Sequence, residues 1–138
     1  LIKDLRPALR SYLLSKPEIM AAVDGRMFPS RLPQGTREAS IVYTKISDQG
    51  FHTYAGPLGF ARPRYQLDAW AQTPDAAAYL AGLVKEHLDG FKGVMGTAPQ
   101  AVTVQGALFQ SSHDDYDPDA ELYRVSSDYL VLFVERED

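Results

Sequence analysis

The densest set of chemically capable side chains is His113-Asp114-Asp115, followed by Asp117 and Asp119. Carboxylates at alternate positions, Asp115-x-Asp117-x-Asp119, match the opening ligands of an EF-hand calcium loop. The pattern then fails twice, because Ala120 stands where the sharp turn needs glycine and Ser126 where a bidentate glutamate belongs. A solvated acidic loop is the expectation, with no metal site. His52, His87 and His113 share no ligand spacing. His87, near a helix C-terminus, suits the helix dipole as a cation. Cysteine is absent, which removes disulfides, thiolate nucleophiles and zinc–thiolate sites. No serine sits in a Gly-x-Ser-x-Gly elbow, and the glycines between 50 and 59 do not lead into a helix as a phosphate-binding loop requires. The sequence therefore predicts no catalytic residue, no cofactor and no enzymatic activity.

A second set is mixed basic and aromatic: Phe51, Tyr54, Phe60, Arg62 and Arg64. Such side chains stack single-stranded nucleic acid, and they also anchor protein interfaces. A net charge of −4 disfavours bulk attraction to nucleic acid or acidic lipid, so protein contact is the preferred reading. A nucleic-acid- or ligand-binding module using the 51–64 segment stays as the alternative.

The elements that must position these residues centre on 64–91. Tyr65, Leu67 and Ala69 alternate with Arg64, Gln66, Asp68 and Trp70, the period-two signature of a half-buried strand. Ala76, Leu80, Leu83, Val84, Leu88 and Phe91 then recur at helical spacing. Thr73 is the expected N-cap, Pro74 suits the first helical position and Gly90 the stop. Upstream, the spacing predicts a helix over 1–14, with Asp4 able to cap it, and a short helix from Pro17 to Gly25. A short extended piece at 26–29 and a loop over 29–38 follow. Strands are expected at 39–47 and 64–71, joined by a long hairpin loop at 48–63. Beyond the central helix come a Gly-rich connector at 92–97, a strand at 100–110, an acidic loop at 111–120 and a last strand at 121–135. Leu130 to Val134 is unbroken in apolar character, which places that strand centrally. The order α-α-β-β-α-β-β implies an α+β fold: a mostly antiparallel sheet of about four strands with helices on one face.

At 138 residues, 45% hydrophobic and 23% charged, the chain fits one globular domain over 1–138. It contains no apolar run long enough to span a bilayer, and its first residues lack a secretion-signal layout. A cytosolic origin is the simplest expectation. Charge is unevenly divided: residues 1–70 hold ten Lys/Arg against six Asp/Glu, and residues 71–138 hold four against twelve. Either the fold interleaves the halves, or copies associate through flanks of opposite sign.

One further pattern is an ordered set of landmarks. Leu9 and Leu13 on the first helix precede Gly25-Arg26-Met27-Phe28-Pro29 and the strand Ile41-Val42-Tyr43. The strand Tyr65-Gln66-Leu67-Asp68-Ala69-Trp70-Ala71 leads directly into Asp75-Ala-Ala-x-x-Leu80-Ala81-x-x-Val84-x-x-x-Leu88. An acidic loop then enters Tyr123-Arg124-Val125-Ser126-Ser127-Asp128-Tyr129-Leu130-Val131. This set resembles the tail-completion, or tail-terminator and head–tail joining, proteins of long-tailed bacteriophages and phage-like particles. The resemblance implies a structural virion protein without catalytic residues, assembled in the host bacterial cytoplasm. Its members form a homo-oligomeric ring, typically of six, at the head-proximal end of the tail. The implied partners are further copies of the chain, the tail tube protein and the head-completion or connector protein. DNA would pass through without specific binding, and no membrane is involved. On this reading Phe51, Tyr54, Phe60, Arg62 and Arg64 belong to a subunit or partner interface. Asp114, Asp115, Asp117 and Asp119 face the lumen or a partner, where they would repel DNA phosphates.

Overall fold

The computed structural model describes residues 2–48, 50–53 and 56–136, with side chains from 50 to 58 outside that description. Helix α1 is Leu5–Leu14, where the Asp4 carboxylate accepts from the Arg6 backbone N–H and caps the helix. Capping at Asp4 starts the helix later than the apolar spacing implies, and Ile2 instead bridges Arg136 in antiparallel fashion. A hydrogen bond from the Arg6 side chain holds the Asp4 carboxyl below the usual range. Helix α2, Pro17–Val23, begins with proline in its first turn and ends through left-handed Asp24. Helix α3, Pro74–Leu88, is capped by Thr73 Oγ1, which accepts from the Ala76 N–H at 3.1 Å. These are the caps that the residue types favour.

Among the described residues eight strands form one sheet: β1 (Met27–Pro29), β2 (Ser40–Ser47), β3 (Gly50–Thr53), β4 (Gly56–Ala61), β5 (Arg64–Ala71), β6 (Gly93–Met95), β7 (Val102–Asp117) and β8 (Leu122–Val134). The expectation of about four strands is thus corrected upward. β1 and β6 are three-residue strands, too short to show a period. β3 and β4 occupy the expected 48–63 loop, which is the outer part of a hairpin continuing β2 and β5. The expected acidic loop is also corrected: β7 runs on through Asp117, and the turn to β8 occupies only 118–121. That half of β7 is polar because nearly all its side chains are exposed, so its composition imitates a loop. Among the described residues all strand pairings are antiparallel except β1 with β2, in line with a mostly antiparallel sheet.

β8 is the central strand. One edge pairs with β5 from Tyr123 to Leu130 and then with β4 at Phe133 and Val134. The other edge pairs with β7 from Leu122 to Phe133. Its inward side chains Tyr129, Val131 and Phe133 join Tyr65, Leu67 and Ala69 of β5 in the main core. All three helices close that core from the same side, through Leu9 and Leu13, Ile19 and Val23, and Leu80, Val84 and Leu88. On the opposite, outer face a small cluster of Val42, Trp70 and Leu122 is covered by Leu32 and Ala120.

This order bears on the uneven charge. β1 to β5 all lie on one side of β8, with β7 and β6 on the other. The strands of the two halves are thus segregated, while the helices cross between them: α3 of the second half packs on β5, and Ala8 of α1 lies against Gly96 beside β6. Strands β1 to β5 therefore derive almost wholly from the segment of net +4, ten cations less six anions, and β6, β7 and β8 from the one of −8, four less twelve.

Two substitutions test the packing. Gly96 has φ +83°, and a Cβ there would sit 2.9 Å from Ala8 Cα and Cβ on α1. Gly96→Ala should cost about 3 kcal/mol through left-handed strain and overpacking, read as a lower urea midpoint. The Tyr129 hydroxyl is buried without a hydrogen-bond partner among the described residues, and burial pushes its pKa up. Tyr129→Phe should leave stability unchanged or raise it by about 1 kcal/mol; a loss of that size would reveal a partner for the hydroxyl.

Candidate functional site

The acidic residues do not converge. Asp115 lies opposite Arg124 in the β7–β8 register and Asp114 opposite Val125, so their side chains leave opposite faces of the sheet. Asp115 accepts from the Tyr116 N–H at 2.8 Å and pairs with the Arg124 guanidinium. The backbone hydrogen bond, then the Arg124 contact, holds its carboxyl below the usual range. Asp117 Oδ1 accepts from the N–H groups of Asp119 and Ala120 at 2.9 and 3.2 Å, which closes the turn. Two of the four aspartates are therefore committed to local structure. The side chains of Asp114 and Asp119 form no hydrogen bond or ion pair among the described residues and remain as outward charge. Among those residues no group of three or more His, Asp or Glu is placed to hold a metal ion.

The outer face carries a site that the sequence pattern did not single out. Register sets Phe28, Val42, Asp68, Ser126 and His113 in one row, and Ser40, Trp70, Arg124 and Asp115 in the next. Arg124 lies over the Trp70 indole at 5.1 Å, a cation–π contact that leaves Trp70 only 6% exposed. Asp68 is also 6% exposed and accepts from Ser126 Oγ at 2.6 Å and Gln66 Nε2 at 3.0 Å. Alternation puts Asp68 on the face opposite Tyr65 and Leu67, and Trp70, two residues on with the same orientation, signals that this face has a core of its own. The 30–37 loop and the 117–120 turn frame a cleft of about 500 Å³ lined by Arg31, Arg37, Asp68, Trp70, Asp117 and Arg124. Two of its cations are engaged, Arg124 with Asp115 and Arg37 with Glu121 at 3.0 Å, and Asp119 also borders it. Trp70 Nε1 and Arg124 Nε are buried donors without an acceptor among the described residues. The cleft is a polar recess and offers no nucleophile–base pair.

The basic–aromatic residues divide between strands and their junction. Phe51 falls in β3 and Phe60 in β4, Arg62 is exposed at the break before Pro63, and Arg64 opens β5. Tyr54 and the side chain of Phe51 lie outside the described residues. Phe60 is half-buried opposite Val134. Arg64 reaches Asp128 at 3.7 Å across the sheet, so it belongs to the sheet face and not to the hairpin tip.

Comparison with solved structures finds the same arrangement of a sheet backed by helices. A chain from a structure described as the virion of a native gene transfer agent particle superposes with a TM-score of 0.75. The two chains share 14% identity over 94% of this chain and 93% of that one, a likeness of fold. No curated protein matches the sequence. The model of the family described as tail completion protein gp17 matches residues 7–133, and the chain belongs to that family. It is accordingly a structural protein of phage tails and a component of the virion.

Asp68→Ala should cost about 1–3 kcal/mol by orphaning the Ser126 hydroxyl, while Asp68→Asn, which keeps an acceptor, should cost less. Urea unfolding followed by the fluorescence of Trp70 measures both. Equal losses for the two variants would show that the negative charge, not the acceptor, matters.

Proposed function

We propose that this chain closes the head-proximal end of the tail tube as a homo-oligomeric ring and presents the surface to which the head connector docks. The observation that carries the ring is the segregation of strands about β8, with those from the basic half along one edge and β7 and β6 from the acidic half along the other. A heterologous contact that closes on itself needs two different, complementary patches on every subunit. Flanks of opposite sign supply them and fix which flank meets which. The chain acts as one unit, as a hexamer, without catalysis, and it assembles in the host bacterial cytoplasm beside the tube and connector proteins. The surplus of negative charge lets DNA pass through without binding. Asp114 and Asp119, the uncommitted aspartates, belong to the acidic flank and face the basic side of the next copy. The family match and the likeness to a gene transfer agent chain support a place in the tail.

Negative-stain images of particles made without this chain give the decisive test. Full heads separated from tails of irregular or excessive length are expected. Unattached tails of normal length would assign the chain to a joining layer, and intact infectious particles would refute a structural role. For the flanks, the mass of the purified oligomer should fall as ionic strength rises from about 0.05 to 1 M, because exposed charge pairs are screened over a few ångströms at high salt. Asp114→Asn with Asp119→Asn should weaken the ring in the same direction. An intact ring with slowed DNA ejection would move these two residues to the channel.

A further inference from the structure

The unbroken apolar run Leu130 to Val134 is covered on one side only. Val131 and Phe133, facing the helices, are 0% and 3% exposed. Leu130, Leu132 and Val134 face the other way and are only half-buried. Their neighbours across the sheet extend the same surface: Leu108 lies beside Leu130 and Phe60 beside Val134. Leu108 is 56% exposed. A strand that is apolar on both faces normally has a layer on each. Among the described residues, the outer cover formed by Leu32 and Ala120 sits at the opposite end of the sheet, over Trp70. Gly106, opposite Leu132, interrupts the stripe with a notch, since a Cβ built there meets no atom within 4 Å.

We propose that this stripe seats the β3–β4 hairpin of a second copy of the chain. The inference rests on the ring reading above and names the contact between neighbours. The hairpin leaves the sheet where Phe60 meets Val134, and its outer pairs run to Thr53 opposite Gly56. Five residues of strand reach about 17 Å, whereas crossing from β4 to β7 takes two strand spacings, about 10 Å. The ribbon is thus long enough to lie across the whole stripe. A two-stranded ribbon is marginal alone and is stabilised by packing one face on something apolar. Phe51, Tyr54 and Leu58 give it the residue types for that packing. A hairpin at one place on the subunit and its seat at another form the heterologous pair that ring closure requires.

The test uses tails assembled with the full chain carrying a photo-crosslinking phenylalanine analogue at position 108. Cross-links between copies, mapped to residues 50–58, are expected. A second variant, Gly106→Arg, fills the notch from a position whose backbone is not left-handed. It should lower incorporation into tails at least tenfold while leaving the unfolding midpoint of the isolated chain unchanged. Adducts to the tube or connector protein in place of a second copy would overturn the assignment. Rings visible on tails, with no adduct between copies and wild-type incorporation of Gly106→Arg, would overturn it and leave the ring reading standing. Tails that never contain the chain would overturn both.

Discussion

Everything in this molecule depends on β8 being hydrogen-bonded along both edges at once. From Tyr123 to Leu130 it holds β5 on one side and β7 on the other. Past Leu130 it holds β4 at Phe133 and Val134 while still paired with β7. Because side chains alternate along a strand, this double register decides which residues face the helices and which do not. A slip of one residue would send Tyr129, Val131 and Phe133 outward, and the main core would lose its floor. The fully buried Tyr129 and Tyr65, neighbours across β5 and β8, record how tightly that floor is fixed.

The same register makes the second face. Asp68 and Ser126 meet on adjacent strands and satisfy each other's polarity at 2.6 Å, so a carboxylate can stay buried outside the main core. One row away, Arg124 bridges the indole of Trp70 and the carboxylate of Asp115. These interactions tie β5, β8 and the outer half of β7 into one surface. That surface changes character along its length, polar near the 117–120 turn and apolar near the hairpin. An outer face with two such regions suits a subunit that meets more than one neighbour.

Much of the fold was legible in the residues. α3 with its Thr73 cap and Pro74 start stands where the spacing put it, because capping and amphipathic period are local properties. The long hairpin was legible from two strong strands and the distance between them. The extent of β7 was not: Ser111 to Asp117 has the composition of a loop, and only backbone pairing with β8 makes it a strand. The candidate sites followed the same rule. The failed calcium pattern at 115–119 was readable from Ala120 and Ser126, yet the use of Asp117 as a turn cap and of Asp115 as an Arg124 partner appeared only with the register.

The sequence by itself determined the helices, their caps, the central position of β8 and the uneven charge of the two halves. Each of these depends on residues close together in the chain, or on a simple count. Only the tertiary structure decided that the strands of the two charged halves are segregated about β8, that Asp68 is buried beside Ser126 and that an apolar stripe faces away from the helices. Those outcomes depend on which strands are neighbours. Strand order is set by pairing between residues tens of positions apart, where local preference has no influence.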